Sequence, residues 1–220
     1  MQFGLKNRLR LISLLPIVIL FSITSYFVYN SYENYKAAQL LQDRLTANRE
    51  LNSLVNNISR ERGMTVMYLG NSSANTLKSL VKQRAIVDKQ AKSYFEHIDE
   101  QALKANSTVL FQEAKKLKDA LQSIVEIRHL VDEQKTNFQD VYEKVYGSAQ
   151  VLAIGQLEEI TDNQVDPQIN DYSFKYITFV RANEFTAAER DFISFAIARS
   201  TELDEEEVNK WINLVSKADA

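Results

Sequence analysis

The sequence predicts an all-α fold, with one N-terminal transmembrane helix followed by antiparallel helical bundles. Its 220 residues include only five glycines and two prolines, too few for the many tight turns of a β-sandwich or barrel. No proline lies between Pro16 and Pro167, which leaves room for several long helices because an interior proline breaks a helix. Hydrophobic residues make up 45% of the chain and charged residues 25%, a balance that argues against global disorder.

A charge-free stretch from Leu11 to Val28 predicts the first element. With its neighbours it is long enough to cross the hydrocarbon core of a bilayer as a helix, so we expect a transmembrane helix over residues 11–29. The bulky sequence YFVY (26–29) stands where a signal peptide would carry small residues for cleavage. The sequence therefore favours an uncleaved anchor over a cleaved signal peptide.

The charges that flank this span predict its orientation. Lys6, Arg8 and Arg10 precede it, and no acidic residue occurs before Glu33. The positive-inside rule then places residues 1–10 in the cytoplasm and residues 30–220 outside the inner membrane, in the periplasm. Without those three positive charges the formal net charge of −3 becomes −6, which is a poor basis for binding nucleic acid.

The region after the span predicts long amphipathic helices joined by short loops. The first helix is expected to run on to about Gly70, where the loop NSSAN ends it. Short loops between long amphipathic helices imply antiparallel neighbours and hence bundles. The later helices are expected at residues 76–104, 109–133, 136–165, 168–199 and 204–217.

Capping residues mark several of these helix ends. Pro167 separates the fourth helix from the fifth, because proline can open a helix but cannot continue one. Thr136 with Gln139 matches the capping-box pattern, in which two side chains satisfy each other's backbone N–H groups. Asp204 with Glu207 matches the same pattern and predicts the start of the sixth helix.

Each of two of these helices carries an arginine within a regularly spaced stripe of residues, and in the first stripe the other five residues are apolar or small. Each stripe advances in steps of four and three residues, the spacing of a helix seam that faces a partner helix. Arg62 and Arg190 occupy the same place in the two stripes, and a charge there is costly unless it is paired or hydrogen-bonded. The first stripe comprises Leu51, Val55, Ile58, Arg62, Thr65 and Leu69, and the second comprises Phe179, Asn183, Thr186, Arg190, Ile193 and Ile197.

Two interpretations of this arginine pair are open at this point. Two converging guanidinium groups can hold a flat oxyanion, since each offers a planar fork of N–H donors. Alternatively, carboxylates of the protein itself neutralise both arginines, as in many ordinary ion pairs. The candidate carboxylates are those of Glu61, Asp88, Glu184 and Glu189.

Three further arginines are secondary candidates for the site or for structural ion pairs. Arg60 lies two residues before Arg62, about 200° round the helix, and is expected to face elsewhere. Arg84 and Arg128 are expected to make ion pairs within the protein. Their expected partners are Asp88, Glu126 or other acidic residues.

No pattern for catalysis or for metal binding is recognisable. The chain has no cysteine, which excludes disulfides, thiolate metal sites and a cysteine nucleophile. His97 and His129 are far apart in sequence and have no ordered set of carboxylates around them. Neither a Gly-rich phosphate loop nor a nucleophile motif occurs. We therefore expect neither an enzyme nor a bound metal or cofactor.

Five segments of the chain, taken in order, resemble the motifs of one known family. The first is ISRERGMTVMYL (58–69), with Glu61-Arg62-Gly63 at its centre, and the last is EFTAAER (184–190). The other three are QRAIVD (83–88), IRHLV (127–131) and DPQI (166–169). The family is that of the nitrate- and nitrite-sensing (NIT) domains, and the resemblance covers roughly residues 45–217.

The resemblance implies an all-helical sensor built from two packed bundles. It also implies that nitrate or nitrite is held between the first helix and the later Glu-Arg helix. By motif matching, the principal anion-binding arginines of the family fall on Arg62 and Arg190, each preceded by an acidic residue, Glu61 or Glu189. These are the two arginines that the stripe pattern also singles out.

The chain departs from the family pattern at two places. Ala187-Ala188 stands where the family has Gly-Gln, so a polar contact of that glutamine is missing, and Val87 stands where the family has Thr. Family members continue with more helix, so the second bundle is expected to be unfinished at Ala220. We therefore expect that the chain either works through a partner or is part of a longer signalling protein.

We therefore expect a membrane-anchored bacterial sensor, chemoreceptor-like in layout, that transmits a helix movement through the membrane when nitrate or nitrite binds. A homodimer is expected by analogy with other membrane sensors, and no nucleic-acid partner is expected. Two alternatives remain open. One is a helical-bundle sensor of another small anion, such as a small carboxylate. The other is a membrane-tethered helical scaffold that binds another protein and no small ligand.

Overall fold

The described part of the protein is helical throughout, which confirms the predicted fold class. The structure is a computed structural model and describes residues 5–105, 108–162 and 167–218. A π-helical segment, Asp140–Gly147, leads directly into the fourth α-helix and was not predicted. The α-helices are α1 (Leu5–Gly70), α2 (Ala74–Ala105), α3 (Thr108–Asp132), α4 (Ser148–Asp162), α5 (Pro167–Arg199) and α6 (Glu205–Ala218).

The first of two compact units, Met1–Leu45, contains the candidate membrane span. Within the described ranges, one helix is long and apolar enough to cross a bilayer, and its apolar stretch is not buried by protein. The large apolar side chains between Leu14 and Tyr29 are all exposed, as suits contact with lipid. The boundaries of the cytoplasmic N-terminus, the span and the outer region at residues 10 and 29 remain a prediction.

The second unit, Thr46–Ala220, has a hydrophobic core to which α1 contributes its predicted seam. Leu51, Ile58 and Thr65 are fully buried, and Val55 is nearly so. A fully buried aliphatic side chain contributes about 1.5–3 kcal/mol, so this stripe is a main source of the unit's stability. The same core contains Leu80 and Tyr94 of α2, Leu117 and Ile124 of α3, and Ala153 and Leu157 of α4.

Side-chain caps determine where two of the helices begin. The N–H of Thr76 donates to the Ser73 hydroxyl at 3.1 Å, so α2 begins at Ala74, two residues before its predicted start. The capping box before α6 is confirmed. There the N–H of Glu207 donates to Asp204 Oδ1 at 2.9 Å, and the N–H of Asp204 donates to Glu207 Oε2 at 3.1 Å.

The capping box predicted at Thr136 and Gln139 is wrong. The N–H of Asp140 donates to Asn137 Oδ1 at 2.8 Å, and the side-chain amide of Gln139 donates to Glu143 at 3.1 Å. Asparagine is at least as good an N-cap as threonine, so the cap moves one residue along the chain.

Candidate anion site

Arg62 of α1 is buried, with 2% of its surface exposed, and it contacts two carboxylates of α5. Its Nε donates to Asp191 Oδ2 at 2.9 Å, and its Nη1 donates to Glu184 Oε1. Its Nη2 lies 3.4 Å from the Ser59 hydroxyl, near the limit of a hydrogen bond. These two carboxylates offset the cost of burying a guanidinium at a seam position, which would be strongly unfavourable for an unpaired charge.

Arg190 is joined to Arg62 through a shared carboxylate. Asp191 Oδ1 accepts from Arg190 Nε at 3.0 Å and from Arg190 Nη2 at 2.7 Å, while Asp191 Oδ2 accepts from Arg62. The Arg190 side chain is 58% exposed, and Asp191 is 1% exposed. The structure therefore brings the two predicted arginines to the two oxygens of one buried carboxylate, with Arg62 inside and Arg190 at the surface.

The seam predicted for α5 is wrong. Phe179 and Ile197 are 71% and 72% exposed, and Arg190, at the centre of the predicted seam, is more than half exposed. The stripe that faces the core also advances by three and four residues, and it carries the two carboxylates that Arg62 requires. It consists of Ile177, Val180, Glu184, Ala187 and Asp191.

Glu184 is held from a second side by α4. Its Oε2 accepts from Gln150 Nε2 at 2.9 Å, and the same amide donates to the Val55 carbonyl at 3.0 Å. The Glu184 side chain is 13% exposed, so it is more accessible than Asp191. One carboxylate thus links α1, α4 and α5.

Arg62 and Glu184 lie in the wall of a cavity of about 240 Å³, which we call the Arg62 cavity. This volume has room for several molecules of the size of water. The wall combines apolar side chains with a few charged ones, an arrangement typical of small-ligand sites. Its charged residues are Arg62, Glu143, Arg181, Glu184 and Lys217, and its other residues include Tyr142, Gln150, Phe185 and Leu214.

A second cavity, of about 170 Å³, lies between α1 and α5. We call it the asparagine cavity, because Asn52, Asn56 and Asn183 line it. Ser59 and Glu184 also form part of its wall, so Glu184 borders both cavities. Glu184 therefore lies between two cavities: one lined by neutral amide groups, and the other lined by Arg62.

The surroundings of Arg62 keep its guanidinium charged. Burial by itself lowers the pKa of Arg62, but the Glu184 and Asp191 carboxylates more than offset this, so the pKa lies above its usual value. The guanidinium also lies 5.4 Å from the centre of the Tyr142 ring, within cation–π range. Burial raises the pKa of Tyr142, and its protonated hydroxyl donates to the Ala188 carbonyl at 2.6 Å.

Glu61, the neighbour of Arg62, belongs to a separate buried network. It accepts from Nε and Nη2 of Arg128, both at 2.8 Å, and from the Tyr146 hydroxyl at 2.6 Å. Arg128 Nη1 donates to Asp88 at 2.7 Å. Burial, followed by the negative charge of Glu61, raises the pKa of Tyr146, so its hydroxyl remains a donor. This network joins α1, α2, α3 and the π-helical segment.

The other secondary candidates lie outside the wall of the Arg62 cavity. Arg60 is exposed, which agrees with the expectation that it faces elsewhere than Arg62. Arg84 donates from Nη1 to both oxygens of Asp132 at 2.8 Å, so the expectation that Arg84 and Arg128 pair with acidic residues is confirmed. Glu189 accepts from the indole N–H of Trp211 at 3.2 Å and thereby ties α5 to α6.

Sequence reasoning missed Asp191, Gln150 and Tyr142 as parts of this site. The signal for Asp191 is its three- and four-residue spacing from Ala187 and Glu184, which marks a second stripe on α5. Gln150 and Tyr142 carry no such signal. They reach Glu184 and Arg62 through the packing of the π-helical segment and α4 against α5.

Comparison with known proteins identifies the family of the chain. The family model described as nitrate and nitrite sensing (NIT) matches residues 53–220, which include Arg62, Glu184, Arg190 and Asp191. No curated protein and no solved structure matches the chain. Because the family model spans well over half of the chain, the protein belongs to the nitrate and nitrite sensing family.

Proposed function

We propose that this protein is a membrane-anchored sensor in which nitrate or nitrite binds beside Arg62 and Arg190. The family to which the chain belongs is a family of sensor domains for these anions. The observation that carries the proposal is the position of Arg62, which is buried, lies in the wall of a cavity, and is linked to Arg190 by Asp191.

The chemistry of Arg62 suits a small planar oxyanion. The guanidinium is flat, permanently charged and able to donate two parallel N–H bonds to two oxygens of one ligand. Its Nη2 makes only the long contact to Ser59 among the bonds described for that atom, and its Nη1 faces the more accessible of its two carboxylate partners. Arg190, held at the other oxygen of Asp191, adds positive charge at the same place.

The site has a route to the membrane along α1. This helix, Leu5–Gly70, carries both Arg62 and the candidate span. An anion that changes the contact between α1 and α5 favours one position of α1 over another, and a coupling of about 1–3 kcal/mol shifts such an equilibrium about 5- to 150-fold. We infer that a small shift of α1 reaches the cytoplasm, where residues 1–10 lie, and that the sensor region is periplasmic and works as a homodimer.

Thermal melting of residues 1–220 in lipid nanodiscs tests the proposal. Nitrate and nitrite are compared with chloride at matched ionic strength. An anion at about 100 times its Kd, bound only by the folded protein, adds about 2.7 kcal/mol, which should raise Tm by roughly 5–10 °C. The same nitrate-specific rise should disappear in Arg62→Lys, which keeps the charge but loses the planar fork, and should shrink in Arg190→Ala.

Arg60→Ala is the matched control, because Arg60 is an exposed arginine on the same helix turn. It should melt like the wild type and keep the full response to nitrate. A rise that is equal for nitrate and chloride, or one that survives in Arg62→Lys, would contradict binding at this site.

The carboxylate partners of Arg62 favour a second candidate function, a membrane-tethered scaffold with no small ligand. In that case Glu184 and Asp191 are the permanent counterions of Arg62, and no anion shifts the melting curve.

Titration with acetate in the same assay tests the other alternative, a sensor of small carboxylates. Such a sensor would respond to acetate more strongly than to nitrate.

A further inference from the structure

We propose that Glu184 is an internal competitor of the ligand: its carboxylate occupies the donors that the anion takes, and it must leave Arg62 before the anion can bind. This inference rests on the proposed function, since it assigns the residue that sets the affinity of that site. The two carboxylates that contact Arg62 differ in burial and in their other partners, and this difference decides which of them can leave.

Asp191 is the fixed partner of Arg62. It is 1% exposed, and its two oxygens accept from Arg62 on one side and from two N–H groups of Arg190 on the other. Moving it would break contacts with two guanidinium groups at once. It would also leave Arg62 without its buried counterion, a change that is strongly unfavourable.

Glu184 is the replaceable partner of Arg62. Its side chain is 13% exposed, and it borders both the Arg62 cavity and the asparagine cavity. Its carboxylate accepts from Arg62 Nη1 with one oxygen and from Gln150 Nε2 with the other. A carboxylate and a nitrate ion share a planar shape and a single negative charge, so the donors that hold Glu184 also suit the ligand.

The charge balance of the site favours exchange over simple addition. Arg62 and Arg190 are matched by Glu184 and Asp191, so the four groups are neutral as a set. An anion that entered while Glu184 stayed in place would bring an unpaired negative charge into a buried region, at high cost. If Glu184 leaves for the asparagine cavity, where Asn183 is exposed to solvent, water hydrates its carboxylate and the bound anion takes over its donors and its pairing with Arg62.

The structure also provides a place for the displaced carboxylate. The Arg62 cavity has Lys217 in its wall, which favours entry of an anion from that side, whereas the charge of Arg181 in the same wall is matched by Glu158. The asparagine cavity, which Glu184 also borders, is lined by Asn56 and Asn183. Asn56 already donates to the Asn52 carbonyl at 2.9 Å, whereas the Asn183 amide makes one long bond, to Asn56 Oδ1 at 3.4 Å, and has a second N–H that can donate to a carboxylate. Ligand exchange would then replace the Arg62–Glu184 link between α1 and α5 with an anion that accepts from Arg62 of α1 and from Gln150 of α4.

The test is calorimetric titration of nitrate into residues 1–220 in lipid nanodiscs, with wild type, Glu184→Gln and Glu206→Gln compared. Glu206→Gln removes the same charge, but Glu206 is an exposed residue of α6 that pairs with Lys210 and lies outside the walls of both cavities. We expect Glu184→Gln to bind nitrate at least tenfold more tightly than wild type, and Glu206→Gln to stay within threefold.

A shorter carboxylate provides a second variant in case Glu184→Gln does not fold. Glu184→Asp keeps the charge but withdraws it from Arg62, so its nitrate affinity should lie between those of wild type and Glu184→Gln. Equal or weaker nitrate binding by Glu184→Gln than by a nitrate-binding wild type would overturn the internal-competitor role while leaving the proposed function intact. A similar gain in Glu206→Gln would also overturn it, because general electrostatics would then explain the effect. If neither wild type nor Glu184→Gln binds nitrate, the proposed function itself fails.

Discussion

At the scale of single residues, Glu61 and Arg62 show how two adjacent buried charges can serve different networks. Successive residues of a helix point about 100° apart, so the two side chains leave α1 in different directions. Glu61 meets Arg128 and Tyr146, whereas Arg62 meets two carboxylates of α5. Each charge is therefore neutralised by side chains of different helices. Glu61 joins α1 to α3, and Arg62 joins α1 to α5.

Glu61→Gln should destabilise the protein by about 3 kcal/mol, because it leaves the guanidinium of Arg128 without its buried counterion. Urea unfolding followed by circular dichroism measures this change. Glu133→Gln, directly after the end of α3, is the control, since Glu133 is exposed and pairs with His129 and Lys135 at the surface. It should change stability by less than about 0.5 kcal/mol. Equal unfolding curves for the two variants would show that the Glu61 network is not a structural requirement.

At the scale of helices, glycine allows α5 to lie close against α1. A Cβ atom on Gly63 would stand 2.5 Å from Asp191 Oδ1. One on Gly70, seven residues later and on the same face, would stand 2.8 Å from the Cβ of Ala198 and 3.0 Å from a backbone oxygen of α5. Both positions therefore need a residue without a side chain, and the glycine of the Glu-Arg-Gly motif is explained by the carboxylate packed against it.

Gly63→Ala should lower stability by about 1–2 kcal/mol and weaken nitrate binding, because the added methyl group displaces Asp191 from both arginines. Thermal melting with and without nitrate measures both effects. Gly155→Ala on α4 is the matched control, since nothing lies within 4 Å of its added Cβ. That change should stabilise the protein by up to about 1 kcal/mol through helix propensity alone. A gain in stability at Gly63 as well would contradict the close approach of α5.

The half of the site on α1 follows from the sequence, and the half on α5 does not. Arg62 stands in a single apolar stripe, so its burial can be predicted from spacing alone. On α5, apolar residues occur on both sides: Phe179 is exposed and Val180 is buried. Periodicity therefore does not show which face of α5 is buried. In the folded protein the ion pair between Arg62 and Asp191 turns the Asp191 face of α5 toward α1. The π-helical segment that positions Tyr142 has no comparable signature, because such segments are rare and depend on packing.

At the scale of the whole molecule, the proposed signalling requires that the N-terminus and the sensor unit, residues 46–220, lie on opposite sides of a membrane. Three basic residues precede the apolar stretch, and the exposed apolar side chains of α1 provide a surface for lipid. Either orientation would satisfy the hydrophobic requirement of the span. The basic residues predict a cytoplasmic N-terminus, because cytoplasmic flanks retain positive charge.

The absence of cysteine from the sequence makes this orientation directly measurable, since any introduced cysteine is the only thiol of the chain. We expect Lys115→Cys, at an exposed position of α3, to react with a membrane-impermeant maleimide in cells whose outer membrane alone has been made permeable. Asn7→Cys should react only after the inner membrane is also opened. The reverse pattern would place the sensor unit in the cytoplasm, and labelling of both positions in cells with an intact inner membrane would show that the chain does not span it. Only the expected pattern allows an anion outside the cell membrane to act on the cytoplasm through α1.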